Sequence, residues 1–323
     1  MRSSLCNRCI VAVRRLMDSN KHVEALGLLD TIKSKKIAIR NVDLFRAYCF
    51  SLSTGNPFSV RQALLEELRH FPDNAEARTA LHDVEVRLDE VLQPPDVIQK
   101  EEPLFALLYD ALKAHTMLSW DRLFSIYMCV KEMCVNEVPG AFVECGVAGG
   151  GSLILSAVVA KHYSRSHRRV MGFDTFTGMP APTLLDTLHD TQTPASATNW
   201  GEGTCSAPMA HVSDLANNFS VEVELIPGLF QDTLPRSFPA RTSSNGPPEE
   251  HSVAFAHLDA DWYESTVCAL NHLYPSMTPK SILQIDDFGY WGGCRRATQE
   301  FVDSHQLGAT LQTVGCAATI RLP

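Results

Sequence analysis

Two apolar segments of the sequence end in acidic residues, and carboxylates at such positions are candidates for binding a cation. The segment VAFAHL is followed by Asp259 and Asp261, and the segment SILQI is followed by Asp286 and Asp287. Burying an unpaired carboxylate is costly, so acids at the end of an apolar strand indicate a partner. Carboxylates close together repel one another unless they hold a cation, and an all-oxygen set favours Mg²⁺. We therefore predict a magnesium site formed by Asp259, Asp286 and Asp287.

The two other polar residues near this edge have simpler interpretations. A single Asp after a strand is most often a helix cap or a surface acid, and we favour that interpretation for Asp261. His257 shares the strand face of Asp259, and a buried, hydrogen-bonded histidine is favoured over a catalytic base. If the reaction removes a proton at this edge, Asp259 is the first candidate base and His257 is the second.

A glycine-rich segment, FVECGVAGGGS, contains the first clear predicted strand, residues 141–145. A helix over 152–163 and a following strand that ends at Asp174 complete a βαβ unit, so the glycines lie where doubly wound sheets bind ligands. A dinucleotide fingerprint would need glycine at the position of Ala148. Glu144, inside the strand, can bind a cation or an amino group, which favours S-adenosylmethionine. An NAD(P)-dependent dehydrogenase stays open as the alternative, because Asp174 can bind ribose hydroxyls in either cofactor.

The overall composition argues against several classes of protein. The chain has 323 residues, a net charge of −9 and 45% hydrophobic residues, which suits a large α/β domain with a smaller unit. The acidic balance disfavours nucleic acids and anionic membranes as partners. No apolar run has the roughly 18 residues that a membrane span needs. Ten cysteines without a disulfide-like spacing suit a reducing compartment, so we predict a cytoplasmic protein.

The segment QPPD, residues 93–96, is predicted to be a linker that divides the chain into two domains. Residues 1–93 have helical periodicity throughout and resemble degenerate tetratricopeptide repeats; the alternative is a helical extension that packs on the second domain or forms a dimer interface. Residues 97–323 alternate strands and helices. This order predicts an α/β fold with a doubly wound, mostly parallel, Rossmann-like sheet.

Six segments within residues 139–305 resemble, in this order, the macrocin O-methyltransferase family: FVECGVAGGGS, GFDTFTGMP, GEGTCSAP, PGLFQDTLP, HLDADWYEST and IDDFGYWGG. The resemblance implies a class I methyltransferase fold with S-adenosylmethionine and Mg²⁺ as cofactors. It also implies a small-molecule acceptor, a sugar or another diol-bearing metabolite, and a homo-oligomer. The sequence departs from the family at VAGGGS, where relatives commonly carry Trp-Arg before the glycines, and the N-terminal helices lie outside the resemblance.

The resemblance also assigns residues to the two cofactors. It implies that the methionine end of the donor contacts Glu144, Gly146, Gly150 and Ser152. The ribose would contact Asp174, Thr175 and Phe176, and the adenine would contact Phe230, Gln231 and Asp232. Asp259, Asp286 and Asp287 would ligate the metal, and TNWGEGTCSAP, residues 198–208, would form a mobile lid. The expected reaction moves a methyl group from a sulfonium to an acceptor oxygen that the metal activates. A non-catalytic interaction module with a decayed methyltransferase fold is the second alternative.

Overall fold

The computed structural model describes residues 2–33, 38–53, 57–198, 200–239 and 251–323. The chain divides into two compact units, Met1–Gln93 and Pro94–Pro323, beside the Pro-Pro pair at which the sequence predicts a linker. Among the described residues, no helix is both long enough and apolar enough to cross a membrane.

The N-terminal unit is helical throughout its described part, as its periodicity predicts. Its helices are α1 (Arg2–Asp18), α2 (His22–Lys33), α3 (Val42–Ser53), α4 (Pro57–His70) and α5 (Ala75–Leu92). The fully buried Ala25, Ala47 and Ala77 are small enough to let neighbouring helices approach closely. Asn74 caps α5, because its side chain accepts a hydrogen bond from the N–H of Ala77 at 3.3 Å.

The C-terminal unit alternates helices and strands. In chain order its elements are α6 (Asp96–Glu101), α7 (Pro103–Leu112), α8 (Trp120–Val135), β1 (Ala141–Cys145), α9 (Gly151–Tyr163), β2 (Val170–Asp174), α10 (Met209–Asn218), β3 (Glu224–Pro227), α11 (Phe230–Ser237), β4 (Val253–Leu258), α12 (Tyr263–Leu273), β5 (Met277–Ile285), α13 (Gly292–Ser304), β6 (Leu311–Val314) and β7 (Ala317–Arg321).

The strands described in this unit form one sheet of seven in the order β3-β2-β1-β4-β5-β7-β6. Strands β1 to β5 pair in parallel, and β7 runs antiparallel to β5 and β6. The mixed α/β fold predicted from the sequence is therefore confirmed. From β1 the chain adds strands in one direction, and from β4 it adds them in the other. The crevice between the carboxyl ends of β1 and β4 is thus the switch point at which such sheets bind ligands.

Alternate residues of the central strands pack against different layers of helices. Phe142 and Phe255 belong to the core formed with α8 and α9. Val143 and Ala256 belong to the core formed with α12 and α13. Glu144 and His257 follow the same alternation as Phe142 and Phe255, so both lie on the face covered by α8.

Candidate active site

The glycine-rich turn after β1 has the backbone conformation that requires glycine. Gly146 and Gly150 have φ angles of 92° and 87°, in the region that a side chain disfavours. A Cβ at Gly146 would also collide with the backbone carbonyl group of Asp259. Helix α9 begins at Gly151, with Ser152 buried in its first turn. The turn therefore presents backbone N–H groups at a helix start, directly against the segment that carries the acids.

Asp174, at the end of β2, holds this turn in shape. Its Oδ2 accepts hydrogen bonds from the N–H groups of Val147 and Ala148, at 2.7 and 2.9 Å. Its Oδ1 accepts a third from the N–H of Phe176 at 2.7 Å. A carboxylate has about four acceptor positions, so one position is left for a ribose hydroxyl. The sequence identified Asp174 as a ligand-binding acid but gave no sign of its contacts with the turn.

The other residues expected to contact the donor lie at the ends of the adjacent strands. Thr175 directly follows β2, and its hydroxyl donates to the carbonyl of Gly178 at 2.7 Å. Phe230, Gln231 and Asp232 form the first turn of α11, just after β3. Phe230 is partly buried, whereas Gln231 and Asp232 are exposed. The expected donor residues thus line the edge of the sheet from β1 to β3, and their individual roles stay predictions.

Three carboxylates come together at the ends of β4 and β5. Asp259, Asp261 and Asp287 each offer an oxygen atom within 4.8 Å of those of the other two. The expectation that Asp261 is a helix cap or a surface acid is wrong. Helix α12 begins with Trp262 as its N-cap residue, and Asp261 instead accepts a hydrogen bond from Trp291 Nε1 at 3.0 Å.

The charges of this trio are strongly coupled. Burial, followed by the charges of Asp286, Asp287 and Asp261, raises the pKa of Asp259 well above its usual range. Burial and the charge of Asp287 do the same to the pKa of Asp261. Burial and the charge of Asp286 raise the pKa of Asp287 to about 7. Such shifts are expected of carboxylates that repel one another where a cation would relieve the repulsion.

Asp286 does not join this trio, although the sequence predicted it as a metal ligand. Its Oδ2 forms an ion pair with Arg122 Nη1, which reaches it from α8. The N–H of Asp286 also donates to the carbonyl of Leu258 at 2.8 Å. Strand pairing therefore continues through Asp286, and consecutive residues of a paired strand point to opposite faces. Asp287 turns to the trio, and Asp286 turns to α8.

His257 connects Asp286 to the glycine-rich turn. It lies opposite Glu144 in the register of β4 and β1, and its Nδ1 donates to Glu144 Oε1 at 2.7 Å. Its Nε2 lies 3.8 Å from Asp286 Oδ1, too far for a direct hydrogen bond. Burial alone would lower the pKa of His257, but Asp286 and Glu144 outweigh it and raise the pKa to about 9. His257 is therefore a buried, paired histidine.

The loop between β2 and α10 is fixed onto the turns that carry the acids. Pro180 accepts a hydrogen bond from Trp262 Nε1 at 2.8 Å. The fully buried Asp186 accepts one from the N–H of Tyr263, also at 2.8 Å. These contacts tie the loop to the segment that follows Asp261. They make the first part of the loop a fixed wall beside the acids.

The segment predicted as a lid, residues 198–208, continues from this wall. Thr204 accepts a hydrogen bond at its carbonyl from the N–H of Met179 at 2.8 Å. Burial raises the pKa of Cys205, and the charges of Asp261 and Asp259 raise it further. This thiol therefore lies close to the carboxylate trio. Cys205 of the predicted lid segment is therefore near the acids, and the mobility of the segment stays a prediction.

Sequence analysis missed Arg122 and Asp186. Arg122 is separated from Asp286 by 164 positions and lies in a helix whose pattern indicates only packing. Asp186 lies in a loop rich in Thr, Asp and Pro, where an acid is ordinary. For Trp291 a signal existed, because an aromatic residue shortly after two acids can reach back to them, but no partner could be named.

The fold and this site define a class of protein. A parallel sheet with a glycine-rich turn after its first strand, and acids at the ends of two neighbouring strands, is the arrangement of a class I O-methyltransferase. The sequence profile of the macrocin-O-methyltransferase (TylF) family matches residues 67–320. The chain belongs to this family, as the six sequence segments predicted. The match is longer than predicted, because it also covers the end of α4 and all of α5, which were expected to lie outside the resemblance.

Similar proteins support this assignment. The chain is 32% identical, over 191 residues, to 8-demethyl-8-(2,3-dimethoxy-alpha-L-rhamnosyl)-tetracenomycin-C 4'-O-methyltransferase of Streptomyces olivaceus. The aligned region covers 58% of this chain and 67% of the relative. The chain is 31% identical, over 198 residues, to mycinamicin III 3''-O-methyltransferase of Micromonospora griseorubida, with 59% and 72% covered. The solved structure of the O-methyltransferase NovP is 27% identical, with a TM-score of 0.54, over 64% of this chain and 82% of that one.

The family assignment decides between the alternatives that the sequence left open. Enzymes of this family transfer a methyl group from S-adenosylmethionine, so the protein is an S-adenosylmethionine-dependent O-methyltransferase. The alternatives of an NAD(P)-dependent dehydrogenase and of a non-catalytic interaction module are therefore set aside.

Proposed function

We propose that this enzyme is Mg²⁺-dependent and methylates a hydroxyl of a sugar, or of another vicinal diol, on a small-molecule natural product. The observation that carries the proposal is the meeting of Asp259, Asp261 and Asp287 beside the glycine-rich turn. The two parts are in direct contact, because the N–H of Asp259 donates to the carbonyl of Cys145 at 2.8 Å. A donor held at the turn would therefore have its methyl group close to an acceptor held at the carboxylates.

The trio fits a hard divalent cation. All three groups are carboxylates, which Mg²⁺ prefers over nitrogen and sulfur ligands. Among the described residues, Asp287 Oδ2 is buried and lacks a hydrogen-bond partner, an arrangement that is unfavourable unless something else binds it. We therefore replace the predicted ligand set of Asp259, Asp286 and Asp287 with Asp259, Asp261 and Asp287. When bound there, the ion would act as a Lewis acid on the acceptor hydroxyl.

The residues of the chain have separate tasks in this proposal. Asp259 and Asp261 are only partly buried, so either carboxylate can accept the proton that leaves the acceptor hydroxyl. Asp259 remains our first candidate for this task. His257 is unsuited to it, because its Nδ1 binds Glu144 and its ring is almost completely buried. In this proposal, the wall formed around Asp186 would shield one side of the acids from water.

The relatives guide the choice of acceptor. One of the two relatives is a 4'-O-methyltransferase of a rhamnosyl-tetracenomycin C, and the other is a 3''-O-methyltransferase of mycinamicin III. Our proposal extends this to the class of acceptor, a glycoside with adjacent hydroxyls. Two neighbouring oxygens could bind one cation and replace its water, which would orient one of them toward the donor.

Metal dependence is the direct test. Metal-stripped enzyme would be incubated with labelled S-adenosylmethionine and a panel of sugars, glycosides and catechols, with Mg²⁺ or with EDTA. We expect turnover of a glycoside only with Mg²⁺. Asp287→Asn should weaken the binding of Mn²⁺, used as a probe, by at least about 10-fold, since losses even of outer-shell partners have effects of that size.

A matched control is Glu222→Gln, which removes a carboxylate that is 92% exposed and should change neither property. Full activity of the wild type in EDTA would show that the reaction does not need the metal. Turnover of catechols but not of glycosides would leave the metal in place and change the acceptor class.

The helical unit and the assembly state belong to the same proposal. We infer that Met1–Gln93 is a TPR-like module and that the chain forms homo-oligomers. The packing of α3, α4 and α5 around Ala47, Ala63 and Ala77 supports the first inference, since such repeats pack helices closely through small residues. Light scattering on the full chain tests the second, and a monomer at micromolar concentration would contradict it. A cytoplasmic address stays a prediction from the sequence.

A further inference from the structure

A tyrosine lies in the turn that follows the acids at the end of β5. The N–H of Tyr290 donates to the carbonyl of Asp287 at 3.0 Å, and the carbonyl of Tyr290 accepts from the N–H of His189 at 2.8 Å. The next residue, Trp291, forms an isolated antiparallel bridge with Leu188. The backbone of Tyr290 is therefore bonded on one side to a residue of the carboxylate trio and on the other to the loop between β2 and α10.

The side chain of Tyr290 belongs to a group of aromatic residues beside the trio. Its ring packs almost perpendicular to that of Trp291, with 5.1 Å between the ring centroids and 88° between the planes. Trp291 packs edge to face with Trp262, at 4.8 Å. Trp262 and Trp291 are almost completely buried. Tyr290 and Trp200, which comes from the predicted lid segment, are only partly buried against the same core, so these two are the members that a ligand can reach.

The hydroxyl of Tyr290 interacts with both the trio and the lid segment. Burial raises the pKa of Tyr290, a hydrogen bond from Trp200 acts against this rise, and the charges of Asp287 and Asp261 add to it. A phenol is already protonated at neutral pH, and the raised pKa keeps it so. An indole N–H can only donate, so the bond with Trp200 uses an acceptor position of the hydroxyl. The O–H of Tyr290 is left to donate to another oxygen.

A sugar offers what these groups can bind, and a catechol does not. In the proposed reaction the cation faces two neighbouring hydroxyls of the acceptor, which we call the reacting pair. A catechol then has no hydroxyl left, whereas a hexose keeps at least one more. Aromatic side chains with one polar atom suit a sugar, because the ring covers apolar C–H groups and the polar atom binds a hydroxyl. Tyr290 and Trp200 supply this combination beside the trio.

We propose that Tyr290 is a specificity-determining residue for the acceptor, and that its O–H donates to a sugar hydroxyl outside the reacting pair. Trp200 is the positioning residue for this contact, because its hydrogen bond orients the Tyr290 hydroxyl. This inference rests on the proposed function, since it assigns part of the acceptor site of the same reaction. It gives Tyr290 an effect on glycosides and none on the donor or the metal. A residue that merely supports the fold would affect all three.

The test compares Tyr290→Phe, which keeps the ring and removes the hydroxyl, with the wild type. Acceptor kinetics would be measured at saturating labelled donor and Mg²⁺ with the glycosides of the panel, methyl α-L-rhamnopyranoside among them, and with catechol. We expect the acceptor KM for glycosides to rise about 5-fold, the effect of one hydrogen bond between uncharged groups. The donor KM, the affinities for S-adenosylhomocysteine and Mn²⁺, and any turnover of catechol should stay at their wild-type values.

Tyr274→Phe is the matched control, because it makes the same change at a partly buried tyrosine at the other end of β5. Tyr274 precedes the first residue of that strand, and its ring contacts Phe301 and His305, with centroids 5.1 and 4.5 Å away. This variant should keep the wild-type KM for every glycoside.

Two further measurements make the test independent of a single variant. Trp200→Phe keeps an aromatic ring but loses the N–H. It should raise the acceptor KM of the wild type and add nothing in the Tyr290→Phe background, because it acts through the same hydroxyl. Monodeoxy analogues of the best glycoside carry the test with the wild type alone if Tyr290→Phe does not fold. One analogue that keeps the reacting pair should have a KM about 5-fold higher, and Tyr290→Phe should not distinguish it from the parent glycoside.

The outcomes separate the inference from the proposed function. A wild-type acceptor KM in Tyr290→Phe, an equal rise in Tyr274→Phe, or unchanged KM values for all the deoxy analogues would overturn the inference alone. Full activity on glycosides in EDTA would end the metal-dependent function, whereas a raised KM in Tyr290→Phe would still support the acceptor contact. Methylation of catechols but of no glycoside would overturn both.

Discussion

Replacement of Gly146 by alanine tests whether the glycine-rich turn and the acid-bearing segment are one rigid unit. The φ angle of Gly146 is 92°, a conformation that costs a residue with a side chain about 1–2 kcal/mol. The new Cβ would lie 2.9 Å from the carbonyl carbon of Asp259 and closer still to its oxygen. An ordinary C···O contact is about 3.3 Å or more, so the segment at Asp259 must move by more than about 1 Å.

A shift of this size has two measurable consequences. Displacing Asp259 by about 1 Å should lower kcat/KM by about 100-fold. Backbone strain and lost packing together should lower the free energy of unfolding by about 2–4 kcal/mol, a range typical of steric damage in a core. The assays are labelled-donor kinetics and thermal unfolding of the variant beside the wild type.

Gly308→Ala is the matched control for this prediction. Among the described residues, a Cβ at Gly308 would meet only Val302 Cγ1, at an ordinary van der Waals distance of 3.8 Å, and its backbone is not in the left-handed region. This variant should fold and turn over as the wild type does. Wild-type kcat/KM in Gly146→Ala would refute the reasoning, because the donor turn and the acids would then move independently.

Three further predictions concern other parts of the chain. Gly27→Ala in α2 should stabilise the N-terminal unit by about 1 kcal/mol, because a Cβ there meets no described atom within 4 Å and alanine favours helix; an unchanged urea midpoint would contradict this. Glu102→Gln should destabilise the C-terminal unit by about 1–3 kcal/mol in thermal unfolding, because the carboxylate accepts hydrogen bonds from Lys131 at 2.6 and 2.7 Å; Glu137→Gln, at a carboxylate that is 57% exposed, is its control. Burial, followed by the charge of His211, lowers the pKa of His115, so the unfolded chain takes up this proton more readily than the folded chain. Stability should therefore be full above about pH 6.5 and fall as the pH drops below it, and His115→Gln should flatten that fall in a series of thermal midpoints.

The sequence alone located the elements of the site. The strand predicted over residues 141–145 is β1, and the helix predicted over 152–163 is α9 with one more residue at its start. These predictions succeeded because an apolar strand pattern and a glycine cluster are local properties of the chain. The position of Asp259 and Asp286 at one edge was also predictable, since parallel neighbours end on the same side. The helical character of the described part of residues 1–93 likewise followed from local periodicity.

Only the tertiary structure decided which acids act together. Whether Asp286 or Asp261 joins Asp287 depends on how each side chain turns at the end of its strand, and backbone pairing alone leaves this open, because Asp259 and Asp286 both continue it. It depends equally on Arg122, which no local pattern connects to Asp286. Interstrand hydrogen bonds and charges brought in by distant helices act through space, so the order of residues along the chain carries no direct record of them. The residue types at the site could be read from the sequence, whereas the direction in which each side chain points depends on the tertiary structure.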